Sequence, residues 1–149
     1  MATDAATAAP AAAAAALTQR FLLDYPHEAA RLLESMPADE AAALLASQPA
    51  HAALRAWEWM APDAARATLE ELPTAMAAHL LAEAEPVASV AVLNQLEQVE
   101  QQRWLQQLDR EVARELATLL DYPADSAARM MDPRVSPLRT GMTVAEALE

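Results

Sequence analysis

The chain has 149 residues, with 22 acidic against 10 basic side chains and a formal charge of −12. That length suits one domain with a modest core, and the acidity argues against a nucleic-acid partner, because affinity for phosphate comes from clustered cations. The absence of Cys and the single Gly exclude disulfide frameworks, thiolate metal sites and Gly-rich phosphate loops.

Residues 1–16 form an Ala-rich, low-complexity segment broken by Pro10. The segment lacks the positive start of a secretory signal and is too short and interrupted to span a membrane. Ala-rich sequence can form helix, but nothing in it is large enough to pack, so it is expected to fray, to be disordered, or to be helical only where outside contacts hold it.

From Leu17 onward, Pro punctuates a series of short amphipathic stretches. Phe21 and Tyr25 are expected to pack the first helix onto the second. Ala29, Leu32, Leu33 and Met36 share one helical face that ends at Pro37. Asp39 and Glu40 put acid in the next first turn, where the helix dipole favours it. Leu44 and Leu45 continue the stripe to Pro49, and Ala53, Leu54 and Trp57 form the next. Pro62 opens a helix with Ala65, Thr68, Leu69 and Leu72 inward. Met76, Leu80 and Leu81 follow Pro73. Pro86 starts a more apolar helix with Val87, Val90, Leu93 and Leu96. Trp104, Leu105 and Leu108, then Val112, Leu116, Leu119 and Leu120, complete the series at Tyr122-Pro123.

Helices this short cannot bury a face alone, so the pattern predicts an all-α fold, an armadillo-like right-handed superhelix of stacked helices over residues 17–121. An internal echo supports it. Leu33-Glu34-Ser35-Met36-Pro37 recurs as Leu69-Glu70-Glu71-Leu72-Pro73, and Ala41–Leu45 recurs as Ala77–Leu81 at the same interval. Residues 122–149 read as a short non-helical linker and the beginning of another domain.

Catalytic signatures are weak. His27, His51 and His79 show no metal-ligand spacing, and no Ser lies in a nucleophile-elbow context. The sequence is therefore read as non-catalytic, with no catalytic, cofactor-binding or metal residue assigned. Carboxylate pairs are abundant: Asp39/Glu40, Glu70/Glu71, Glu83/Glu85, Glu97/Glu100 and Glu111/Glu115. The last two have the i, i+3 and i, i+4 spacing that could share a hydrated Mg²⁺, although a solvated helix face is the favoured reading. Trp57 and Trp104 fall on apolar stripes and are expected in the core. Trp59 falls off the stripe, where it could face a partner.

The most specific segment is the last. Tyr122-Pro123-Ala124-Asp125-Ser126-Ala127 runs to Met130-Met131, and Thr143-Val144-Ala145-Glu146-Ala147-Leu148 follows. This resembles the junction of MgtE-family magnesium transporters, where a helical N-terminal domain meets the first of two CBS domains and a membrane channel follows. The helices separated by Pro49, Pro62 and Pro73 are similar to that N-terminal domain. The resemblance implies a regulatory domain on the cytoplasmic side of a dimeric, Mg²⁺-conducting membrane protein, with its own CBS and membrane domains as partners. In that family Mg²⁺ bridges acidic faces of these domains. Overlaid by its Pro breaks, this chain carries Arg55, Val87 and Ala91 where acidic ligands are expected; Glu58, Asp63 and Glu97 are the acids that could stand in. No ligand is carried over, and Mg²⁺ enters only as the family's ion. A protein-interaction scaffold attached to CBS domains, with no channel, is the alternative.

Overall fold

The computed structural model describes residues 3–123 together with residues 126, 127 and 143. The described residues form helices and no strand, as the composition predicts. In chain order they are α1 (Thr3–Asp24), α2 (Pro26–Glu34), α3 (Ala38–Ala46), α4 (Ala50–Trp57), α5 (Pro62–Glu71), α6 (Thr74–Glu83), α7 (Pro86–Leu93), α8 (Gln98–Leu105) and α9 (Arg110–Leu120).

Helices α2 to α9 start on a strict register. The residues that precede them are Tyr25, Pro37, Pro49, Ala61, Pro73, Glu85, Glu97 and Asp109, each 12 positions after the last. In each case the carbonyl of this residue accepts the N–H four positions on, as in Ala41 to Pro37 (3.0 Å), Ala65 to Ala61 (2.8 Å) and Ser89 to Glu85 (3.1 Å). Pro suits these starts because its φ is fixed near the observed value, −55° at Pro37, and a first-turn N–H would have no helical partner. The ends repeat as well. No Gly is available for a left-handed cap, so the last turn tightens through i→i+3 bonds such as Met36 to Leu33 (3.1 Å), Met60 to Trp57 (3.1 Å) and Leu96 to Leu93 (3.0 Å).

The register also sets the core. Four positions after each start from α2 to α7 stands a small residue: Ala29, Ala41, Ala53, Ala65, Ala77 or Ser89. Eight positions after it stands a large one: Leu33, Leu45, Trp57, Leu69, Leu81 or Leu93. All twelve are at most 2% exposed. The small residues let neighbouring helix backbones approach, and the large ones fill the space between layers, each contributing on the order of 2 kcal/mol by burial. Helices pack on the next but one: α2 on α4 and α4 on α6, and likewise α3, α5, α7 and α9 in succession. The stacked unit is therefore two helices, or 24 residues. The echo between Leu33 and Leu69 spans three helices and crosses from one layer to the other, so it is a multiple of the helix spacing and not the structural repeat.

Several sequence expectations change. Helix α1 runs back to Thr3 through the Ala-rich segment, one of the alternatives the composition leaves open, and Ala12 to Leu17 in it are exposed. Its described partners are α4 and α2. Leu32, placed on the inner face by spacing, is 51% exposed, because Leu33 takes the buried register position. Tyr25 is exposed and stacks on Phe21, with ring centroids 5.8 Å apart; it precedes α2 and does not wedge between helices. Trp104 is only half-buried against the core. After α9 the chain turns, with Ser126 N–H and Oγ both donating to the Pro123 carbonyl. Apart from Thr143, the expected start of a further domain at residues 143–149 lies outside the described residues.

Candidate functional site

Three of the residues singled out by the Pro-break overlay, Arg55, Val87 and Ala91, line one groove of about 510 Å³ between α4, the start of α5 and α7. The register explains the meeting. Helix α4 and helix α7 occupy opposite layers, and α5 bridges them by packing on α7.

The groove floor is Trp57, which is 1% exposed and donates its indole N–H to the Ala65 carbonyl at 3.2 Å. That bond satisfies the one polar atom of a buried ring. Trp59 stands at the rim in the turn after α4 and is 50% exposed. The His27 ring lies against it, with centroids 3.8 Å apart and planes inclined by 42°. Val87, on the first turn of α7, is 39% exposed and faces the same space. The wall therefore presents hydrocarbon and an indole to solvent.

The charges at the groove have distinct roles. The Glu58 carboxylate accepts the Glu85 N–H at 2.9 Å, so it caps the start of α7, where unsatisfied donors and the helix dipole favour a negative charge. An equivalent bond occurs one stacked unit earlier, where Glu34 accepts the Ala61 N–H at 2.6 Å. The Arg55 guanidinium and the Glu85 carboxylate have no ion-pair partner among the described residues.

Arg55, Val87 and Ala91 themselves offer no side-chain oxygen to a divalent ion. Mg²⁺ needs oxygen ligands in near-octahedral array. At the three overlay positions the groove offers a guanidinium, an isopropyl and a methyl group; the carboxylates that line it are Glu58, one oxygen of which accepts the Glu85 N–H, and Glu85. Among the described residues no group of three or more acidic or His side chains is placed to hold a metal.

Of the carboxylate pairs read from the sequence, Glu70 and Glu100 line one pocket together with Arg103. Glu97 and Glu100 form a capping box at the start of α8, with the Glu97 N–H donating to Glu100 at 3.4 Å. Glu70 pairs with Arg66 at 2.6 Å. Asp39 and Glu40 lie exposed in the first turn of α3, and Glu111 lies exposed on α9. His51 and His79 are exposed and His27 is the one at the groove. Sequence reasoning missed the Glu34 and Glu58 caps. The readable signal is that both stand nine positions after a register start, on alternate helices.

Among the described residues no helix is long and apolar enough to cross a membrane. No curated protein matches the chain. Residues 24–125, which include all of α2 to α9, match the family model described as the MgtE intracellular N domain. The match ends at Asp125 and does not extend to residues 143–149, where the sequence suggests the start of a CBS domain.

Proposed function

Because the chain belongs to the family of MgtE intracellular N domains, we propose that it is the non-catalytic regulatory domain of an MgtE-type magnesium transporter and acts inside the cell. The observation that carries this reading is the family match across every helix of the 12-residue register. In the finer reading, the domain packs against CBS domains of the full-length protein and biases a transport pathway between open and closed states. A domain can do this only through contacts that differ between the two states. In this chain those contacts are made by protein surfaces such as the Trp59–Val87 wall, and not through an ion held at Arg55, Val87 and Ala91.

The test is transport by the full-length protein in membrane vesicles, with and without residues 17–121. The expected result is that both forms carry Mg²⁺ but differ in how flux depends on internal Mg²⁺. Superimposable flux curves would overturn the regulatory reading.

A further inference from the structure

Among the described residues the stacking of alternate helices is interrupted at α8. Helix α4 packs on α2 and α6 on α4, and in the other layer α5, α7 and α9 follow α3, but α6 and α8 make no comparable contact. In its place lies a pocket of about 400 Å³ between the end of α5, the start of α6 and α8, with Leu72, Thr74, Arg103 and Trp104 among its lining. Leu105 is the only buried residue of α8, whereas α4 and α6, the helices it should follow, bury four and three. A place at the end of the stack does not explain this, because α9 lies there too and still packs on α7.

The register locates the cause. The fourth position after each start is Ala or Ser from α2 to α7, and on α8 it is Gln101. Gln101 is half-buried, and its side-chain amide donates to the Leu96 carbonyl at 3.1 Å. At a position that elsewhere lets helix backbones approach, a Gln adds volume that a close-packed layer does not accommodate. Against this, the gap leaves Trp104 half-buried and exposes apolar surface that stacking would cover. We propose that α8 is a strap with two positions: the displaced one, propped by Gln101, and a closed one in which it stacks on α6 as α6 stacks on α4, shutting the pocket and burying Trp104. Local motion of low free-energy cost is found where few buried side chains anchor an element, and packed interfaces switch between discrete arrangements. The capping box of Glu97 and Glu100 keeps the start of α8 formed in either position. The inference rests on packing alone and stands independently of the regulatory reading.

Because the chain has no Cys, an engineered pair, Thr74→Cys with Arg103→Cys, reports closure: it bridges only when the two Cα atoms come within about 7 Å. The expected result is disulfide formation under mild oxidation that becomes several-fold faster when Gln101→Ala is added. Gln101→Leu, which keeps the volume and removes the hydrogen bond, should leave the rate unchanged. Equal melting temperatures of the reduced forms show that the fold is kept. On the chain without substitutions, fluorine relaxation dispersion with fluorotryptophan should show microsecond-to-millisecond exchange at Trp104 and none at the buried Trp57, which tests the two positions even where a variant fails to fold. A bridging rate indifferent to Gln101→Ala, an equal gain with Gln101→Leu, or flat dispersion at Trp104 would each overturn the proposal.

Discussion

Glu58 accepts the Glu85 backbone N–H at 2.9 Å and thereby ties the end of α4 to the start of α7, 27 positions on. Glu34 ties α2 to α5 at the same separation. A carboxylate is thus used twice as a tertiary helix cap, at starts where the N-cap residues, Ala61 and Glu85, make no side-chain cap of their own. Glu58→Ala should cost about 1 kcal/mol, and Glu58→Gln, which keeps an acceptor oxygen, should cost less. Urea denaturation of the two variants checks the order. Equal losses would mean that charge at the helix terminus, and not the hydrogen bond, is the stabilising element.

The third member of this series is missing. Ala82 stands on α6 where Glu34 and Glu58 stand on α2 and α4, and it has the same separation from Asp109 at the start of α9. Ala82→Glu should therefore stabilise the domain by roughly 0.5–1 kcal/mol, by offering the Asp109 N–H an acceptor. A higher urea midpoint with an unchanged slope is the expected signature. A lower midpoint would show that α6 and α9 do not repeat the earlier geometry.

The buried register positions divide by size. Ala41 and Ala65 sit where helices approach, and each is at most 1% exposed. Replacing either by Leu should cost about 1–3 kcal/mol through overpacking. At the large positions the sign reverses: Trp57→Ala should cost about 3–5 kcal/mol, and Trp57→Phe roughly 1–2 kcal/mol through loss of the bond to Ala65. Trp59→Ala, at the exposed rim, should fall within about 0.5 kcal/mol. Thermal or chemical melts of the five variants give the ranking.

Helix α1 should be stable only where it packs. Leu22 is buried and Phe21 and Leu23 pack against the core, whereas Ala12 to Leu17 are exposed. Pro10 removes one helical bond upstream. Amide exchange should therefore be strongly slowed around Leu22 and fast before Leu17. Uniform protection along α1 would show that its N-terminal half is held by contacts as well.

Much of this fold was readable from residues. The Pro positions marked the starts of α3 to α7 to within a residue or two, and Ala and Leu at i, i+4 marked the buried faces. The exact register was harder to see, because its start position changes chemistry along the chain, from Pro37, Pro49 and Pro73 to Glu85, Glu97 and Asp109. A search for repeated prolines loses the last three. Leu32 was misplaced because two adjacent leucines on a short helix cannot both take the inward position, and only packing between layers decides which does. The groove was legible in part. An overlay on the family's Pro breaks picked Arg55, Val87 and Ala91, and the structure brings them to one place. The caps by Glu34 and Glu58 join residues 27 positions apart, and their sign, a Glu nine positions after a start on alternate helices, is readable only once the 12-residue register is known.

The chain belongs to its family, yet Arg55, Val87 and Ala91 offer no side-chain oxygen in the groove between α4 and α7, so it is expected to bind Mg²⁺ weakly or not at all. A thermal melt of the chain with MgCl₂, against matched ionic strength and CaCl₂, tests it most directly. An ion that binds only the folded state must raise the melting temperature; at 100 times its dissociation constant it adds about 2.7 kcal/mol, a shift of roughly 10 °C or more for a domain of this size. No Mg²⁺-specific shift is expected at about 10 mM, a concentration that would reveal any site tighter than about 0.1 mM by that arithmetic. A Mg²⁺-specific rise of that size, absent with the ionic-strength control, would contradict it and show that the groove or another acidic face is a metal site.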